Sequence, residues 1–366
     1  MKTGGNESIL ESSKKEVMFF MTGKTIRDFG FRPGVMRPGA RNLITDVPGV
    51  TVGHATVERG DITSGVTAVM PCEDNMFLKK LTAACFVQNG FGKSCGLMQI
   101  AELGTLETPI CLTGTMNVGL VSDALTGYMV RRCKKDGYDL RSVNPVVGEC
   151  NDSCISDIAA RPVKEADVLA AIESAAADFP QGDVGAGRGT VCYGLKGGIG
   201  SASRVFSIDG IDYTVGVLVQ SNFGTTADLT VAGRPVGREI MEKGGVEPTA
   251  LDRGSIMMIV ATDLPVDSRG LGRIIRRCAH GLARTGGYSG NGSGEVMIGF
   301  TTANRVPHEG VTFVENRVLR DGLLDDAFRA CMEATEEAVL NSMAAASPVQ
   351  GRDGVFYHSL TEYLVQ

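Results

Sequence analysis

The residues best suited to chemistry stand where the chain changes character. Residues 233–254 form a polar stretch broken by Gly and two Pro, and Ser255 then opens the run Ser255-Ile-Met-Met-Ile-Val-Ala-Thr262, apolar almost throughout. Such a run predicts a strand covered on both faces. The Gly254–Ser255 step suits self-cleavage, because a hydroxyl attacking the preceding carbonyl needs an uncrowded, strain-tolerant neighbour, and Gly is both. Once cut, Ser255 carries nucleophile and base together: its α-amine, of unperturbed pKa about 7.7–8.0, takes the hydroxyl proton near neutral pH without any His. Downstream, Asn291-Gly-Ser-Gly-Glu295 leads into a second apolar run. Ser293 and Glu295, two apart at a strand entry, are expected to share a face and to hold the Ser255 amine and hydroxyl in line.

A second serine competes. Gly92-Lys-Ser-Cys-Gly96 follows a strand-like 83–88 and precedes a helix-like 97–103, the setting of a nucleophile elbow, and His280, His308 and His358 lie downstream as triad candidates. Ser94 would then serve an esterase of the α/β-hydrolase kind. His280, two residues from an apolar helix stripe, reads more simply as a helix-flank residue.

Metal and nucleotide motifs are not matched. The four His (54, 280, 308, 358) are far apart, and Cys150-x-x-x-Cys154 has no second cysteine pair at finger spacing. Glycine clusters at 183–189, 194–200 and 286–294 mark turns or ligand cradles. Residues 185–189 read Gly-x-Gly-x-Gly with Thr190 next, which is no dinucleotide fingerprint. No cofactor is expected.

The surrounding chain is that of a folded enzyme. Of 366 residues 48 are Gly and only 13 Pro, and 43% are hydrophobic, which excludes collagen-like and disordered chains. With 42 acidic against 36 basic residues the net charge is −6, so neither nucleic acid nor an anionic membrane is an expected partner. Ten cysteines scattered through apolar stretches behave as small buried hydrophobes and point to a reducing compartment, hence the cytoplasm. The apolar run 17–21 is too short for a signal peptide or a membrane span. Residues 1–24 read as a leader, continuing into a wrapping arm that orders near Thr25, and 25–366 as one domain.

The elements that must position these groups alternate. Strands are expected at 50–57, 66–70, 83–88, 110–113, 146–149, 190–193, 213–220, 255–262 and 295–302. Helices are expected at 117–135, 166–177, 267–284 and 323–346. The third carries the stripe Leu271, Ile274, Ile275, Cys278 and Leu282, and the fourth carries Phe328, Cys331, Met332, Thr335, Val339 and Met343.

Taken in order, several stretches resemble the family of L-aminopeptidase/D-amidase-esterases and β-peptidyl aminopeptidases, peptidase family S58. They are Asn42-Leu-Ile-Thr-Asp-Val-Pro-Gly-Val-Thr-Val-Gly-His54, Leu106-Glu-Thr-Pro-Ile110, Cys192-Tyr-Gly-Leu-Lys-Gly-Gly-Ile-Gly-Ser-Ala-Ser-Arg204, Val219-Gln-Ser-Asn-Phe-Gly224, Gly254-Ser255 and Gly290-Asn-Gly-Ser-Gly-Glu295. The resemblance covers residues 25–346. It implies an α/β fold, a four-layer αββα sandwich, and a self-processing serine hydrolase cut into 1–254 and 255–366. It also implies that Ser255 is nucleophile and cleavage site, that Ser293 and Glu295 position it, and that Asn222 is the oxyanion-hole donor. Glu149, with Asn151 beside it, is implied as the receiver of a substrate's free amine. Small peptides or amides are the implied substrates, and a homo-oligomer, a tetramer of cleaved heterodimers, the implied assembly. The alternative of another class is an acyltransferase or a non-catalytic relative of the same fold that binds a small ligand in its Gly-lined cleft; the acetyltransferase cousins use a Thr nucleophile, so Ser255 tilts against them. The chain departs from the pattern in lacking a Tyr at 150–154 and in carrying Lys93 where related chains tend to have an acid.

Overall fold

The computed structural model describes residues 23–244, 246 and 252–364. In chain order the strands are β1 (Thr51–Arg59), β2 (Ile62–Met70), β3 (Lys79–Gly90), β4 (Thr105–Leu106), β5 (Ile110–Gly114), β6 (Val146–Cys150), a hairpin of β7 (Val191–Cys192) and β8 (Leu195–Lys196), then β9 (Gly198–Ile208), β10 (Ile211–Asn222), β11 (Ser255–Thr262) and β12 (Gly294–Pro307). The main helices are α1 (Leu97–Leu103), α2 (Val118–Lys135), α3 (Glu165–Glu173), α4 (Val236–Lys243), α5 (Ser268–Ile275), α6 (Cys278–Arg284) and α7 (Asp325–Ala344).

Two sheets stack. One runs β1-β2-β5-β6 and the other β4-β3-β12-β11-β10-β9. The alternation of each strand divides its side chains between two apolar layers. Met257, Ile259, Val296 and Ile298 meet Val52, Leu112 and Val146 between the sheets. Ile256, Met258 and Met297 face Leu271, Ile274, Cys278 and Ala334 beneath α5, α6 and α7. On the far side, Val66, Cys111 and Val147 pack on Val121, Leu125 and Val168 of α2 and α3. The layer order is therefore αββα, as the resemblance implies.

α7 is buried around much of its circumference, including Glu333, Glu336, Glu337 and Asn341. The arm at its outer face is the cause. The Ile26 N–H donates to Asn341 Oδ1 at 2.9 Å, Arg27 pairs with Glu337 at 2.5 Å, and the Val35 and Met36 N–H groups donate to Glu333 Oε2. The fully buried Arg204 of β9 joins them, 2.7 Å from Glu337 Oε2 and 3.3 Å from Glu333 Oε2. Burial alone would raise the Glu337 carboxyl, but Arg27 and Arg204 outweigh it and hold the group below its usual range. Removing one partner from such a buried cluster costs about 3–5 kcal/mol, because the other charge stays behind uncompensated. The expected arm thus covers the polar face of α7. Residues 1–22 of the expected leader lie outside the described residues.

Three expectations need correction. The stripe at 267–284 is two helices, α5 and α6, separated by a turn at Arg276 and Arg277, whose guanidiniums lie over the Phe86 and Phe328 rings. The stretch 233–254 contains α4, an amphipathic helix that buries Val236 and Ile240, four apart, and starts at Pro235. The cluster at 194–200 is more than a turn, since it enters the eleven-residue β9, whose glycines admit α7 closely: a Cβ on Gly200 would lie 2.0 Å from Ala338 O.

Candidate active site

β11 is buried along its whole length, as a central strand covered by the second sheet on one face and by helices on the other must be. It pairs antiparallel with β10, which sets Asn222 opposite Ser255, and parallel with β12, which sets Gly294 opposite Ser255 and Glu295 opposite Ile256. Paired residues share a face. Ser255 and Asn222 therefore point into the gap between the sheets. There a cleft of about 280 Å³ opens, lined by Asn222, Gly254, Ser255, Glu149 and Asn151 among others.

The backbone before Ser255 is tightly held. A Cβ on Gly254 would lie 1.9 Å from Asn222 O, so only glycine fits. The Gly254 carbonyl accepts the Gly294 N–H at 2.9 Å, which polarises the bond that self-cleavage would break. Asp252, two residues earlier, accepts the Gly224 N–H at Oδ1 and the Gly290 N–H at Oδ2, both at 2.9 Å, and so braces the loops on either side.

Asn222 is oriented by its amide oxygen, which accepts the Val191 N–H at 3.0 Å. Its NH₂ has no protein partner among the described residues and is left for the cleft. The β7–β8 hairpin that supplies Val191 is fixed in turn by Lys196, a fully buried ammonium donating to the carbonyls of Gly187, Thr190 and Gly197 at 2.7–3.0 Å. Burial pulls this lysine down to about 7.

Ser293 and Glu295 both reach this end of the sheet, and neither is exposed. Asn89 of β3 donates to Gly290 O at 2.9 Å and to Ser293 O, shaping the turn that delivers them. Among the described residues neither the Ser293 hydroxyl nor either Glu295 carboxyl oxygen has a well-formed hydrogen-bond partner, and burial pushes Glu295 up to about 7, with the nearby Ser293 hydroxyl pulling the other way. Two buried acceptors beside a polar backbone are costly unless a donor arrives. The expected shared alignment with the hydroxyl is altered. Glu295 follows Ile256 toward the helical face and Ser255 follows Met257 toward the cleft, so the Ser255 backbone, rather than its hydroxyl, lies on the side of the carboxylate.

Glu149, at the end of β6, is buried at 3% exposure. Its Oε1 accepts the Lys93 N–H at 2.8 Å and its Oε2 the Thr115 hydroxyl. Asn151 is exposed beside it, its Oδ1 accepting the Ser153 N–H at 2.9 Å. Ser94 lies half-buried with its hydroxyl 3.6 Å from the Met257 sulfur, while His308 bonds Tyr138 and His358 bonds Glu362. The competing triad is thus not drawn together. Sequence reasoning missed Asp252, Thr115 and Lys196; an Asp two residues before the Gly-Ser step was the only local signal. Among the described residues no group of three or more His, Cys, Asp or Glu is placed to hold a metal ion, and no helix is long and apolar enough to cross a membrane.

An αββα sandwich in which a serine begins a central strand and faces a cleft beside an amide donor is the plan of an N-terminal-nucleophile hydrolase. Residues 42–357 match the model of peptidase family S58, and the chain belongs to that family. It is 36% identical over 355 residues to the β-peptidyl aminopeptidase BapA of Sphingosinicella microcystinivorans, covering 91% of this chain and 88% of that protein. Among solved structures, the PH0078 protein of Pyrococcus horikoshii OT3 superposes with a TM-score of 0.88 at 45% identity, covering 93% of this chain and 98% of the other. The L-aminopeptidase D-Ala-esterase/amidase of Ochrobactrum anthropi, described as a variant of the Ntn hydrolase fold, superposes at 0.84 with 34% identity over 92% and 95% of the two chains. The chain is accordingly an enzyme, a hydrolase of the aminopeptidase and amidase kind.

Proposed function

We propose that this enzyme cuts itself between Gly254 and Ser255 and then releases N-terminal amino acids from small peptides, amides or esters through an acyl-enzyme on Ser255. The Ser255 hydroxyl attacks the Gly254 carbonyl, the amide becomes an ester, and water hydrolyses the ester to leave a Gly254 carboxylate and a free Ser255 amine. In turnover the amine takes the hydroxyl proton as Oγ attacks the substrate carbonyl, and returns a proton to the leaving amine. Water then frees the acid. Asn222 donates its NH₂ to the developing oxyanion. Glu295 and Ser293, lacking donors, receive the new ammonium. Glu149, with Asn151 at its side, meets the ammonium of the substrate. The names of the relatives support the aminopeptidase reading. We extend it to cytoplasmic, homo-oligomeric enzyme, with a tetramer of cut heterodimers as the assembly.

The observation that carries the reading is the Gly254 carbonyl, held by the Gly294 N–H against the first residue of β11. Intact-mass spectrometry tests it. In proportion to the 254 residues before the bond, the 38.6 kDa chain divides into pieces of about 27 and 12 kDa. Active enzyme found only at 38.6 kDa sinks the proposal.

The pH profile has a defined sign. Only the neutral amine accepts a proton, so kcat/KM rises with pH through the amine pKa, about 7.7–8.0 when unperturbed. An ionised Glu295 favours the ammonium and moves that rise upward, while the ammonium draws Glu295 below the value of about 7 that its buried setting in the uncut chain gives it, so the two titrate as a pair. Glu295→Gln is expected to shift the rising limb to lower pH. A limb unmoved by the substitution removes Glu295 from contact with the amine.

A further inference from the structure

The cleft holds charges of both signs, and its two cations, Lys93 and Arg253, have no carboxylate partner among the described residues. Glu149 lies on its inner wall, and the connection 91–96 between β3 and α1 crosses in front of it. That connection begins beside the proposed nucleophile: Phe91 O lies 2.4 Å from where a Cβ on Gly294 would stand, and Gly294 is the residue opposite Ser255. It then reaches the carboxylate, to which the Lys93 N–H donates at 2.8 Å. Lys93 is therefore anchored at the Glu149 end of the acyl side. Its Nζ rests 5.2 Å from the centroid of the exposed Phe91 ring, with no carboxylate partner among the described residues.

A simple aminoacyl group would neutralise Glu149 with its ammonium and leave the Lys93 charge unbalanced at the cleft rim. Arg253, the other cation lining the cleft, lies on the acyl side of the bond to be cut, one residue before Gly254, but Lys93 is the one whose backbone is tied to Glu149. An acyl group bearing its own carboxylate near the amine answers both charges at once. On the basis of the reading above, we propose that the acyl subsite selects amino-dicarboxylic acyl groups, aspartyl or glutamyl joined through either carboxyl. The ammonium meets Glu149, the free carboxylate meets Lys93 Nζ, and the scissile carbonyl meets Ser255. Phe91 supplies a flat apolar wall for the methylenes between them. Because Lys93 is exposed, the selection is a moderate one, about tenfold, and weakens as salt is added.

Steady-state kinetics of the purified enzyme on the p-nitroanilides of α-aspartate, β-aspartate, L-alanine and β-alanine test this. Each aspartyl substrate is expected to exceed its alanyl counterpart in kcat/KM by about tenfold, with the α and β pairs reporting which linkage fits. Lys93→Arg keeps the ratio, Lys93→Ala brings it to about one, and Lys93→Glu inverts it in favour of the alanyl substrates. Alanyl substrates cleaved at least as well as aspartyl ones by the wild type, or a ratio indifferent to Lys93→Glu, overturns the assignment while the aminopeptidase reading stands. Cleavage of none of the four overturns that reading as well.

Discussion

Ser255→Ala is expected to remain a single 38.6 kDa chain and to hydrolyse nothing. The alanine is smaller than the serine it replaces and sits where the strand is already closed by Asn222 and Gly294, so the fold should be unchanged. What is lost is the atom that attacks, first the Gly254 carbonyl and then the substrate. Removal of a serine nucleophile elsewhere costs on the order of 10⁶ in kcat. Ser255→Thr keeps a hydroxyl but adds a methyl in a buried site, and should process slowly. Measured together, intact mass and amide hydrolysis decide the matter. An uncut Ser255→Ala protein that retains wild-type hydrolysis would transfer the chemistry to another residue, with Ser94 the next to replace.

Asn222 offers a cleaner separation of structure from chemistry. Its oxygen holds the β7–β8 hairpin through the Val191 N–H, and its NH₂ faces the cleft. Asn222→Ala removes both, so lost activity is mixed with an unpaired N–H costing about 1–3 kcal/mol. Asn222→Asp keeps the acceptor for Val191 and deletes only the donor, adding a negative charge where an oxyanion forms. That variant is expected to unfold near the wild-type denaturant midpoint yet lose about 10²–10³ in kcat, equivalent to about 2.7–4 kcal/mol of transition-state stabilisation. A fall confined to KM would place Asn222 in substrate binding instead.

The parts of this molecule legible in its sequence are those written in periodicity. The apolar run 255–262 coincides with β11, and the helices expected at 117–135 and 323–346 with α2 and α7 within a few residues. β9 was missed because its first residues, Gly198 to Ser203, are small; they are chosen for the close approach of α7 rather than for β-propensity. The break between α5 and α6 leaves no mark on the apolar stripe, because Leu271, Ile274, Ile275, Cys278 and Leu282 keep helical spacing across the turn at Arg276 and Arg277. The burial of the α7 carboxylates leaves no local signal, because the arm that pairs with them comes from the other end of the chain. At the site, Ser255, Ser293 and Glu295 were named from the junction and the strand entry, Asn222 and Glu149 from the resemblance to the family, and all five lie at one end of the sheet stack. Their supports were not legible, because Asp252 and Lys196 act on backbone groups, and Thr115 on the Glu149 carboxylate, that only the fold brings near.

The order of the larger sheet gives the proposed cut an unusual outcome. Of its six strands, β3, β4, β9 and β10 come before Ser255, whereas β11 and β12 come after, and the later pair lies between the earlier pairs. Severing the chain would make two polypeptides that are interleaved rather than docked, each completing the ladder of the other along two seams, β10 with β11 and β12 with β3. Neither could leave without opening both. The connectivity needed to assemble the sheet would be spent once, during folding of the uncut chain. An enzyme unfolded after the cut would have to recover its sheet by a bimolecular encounter of two incomplete partners. Longevity in the cut form would then rest on a barrier to separation, set by those two seams, more than on the ease of folding again.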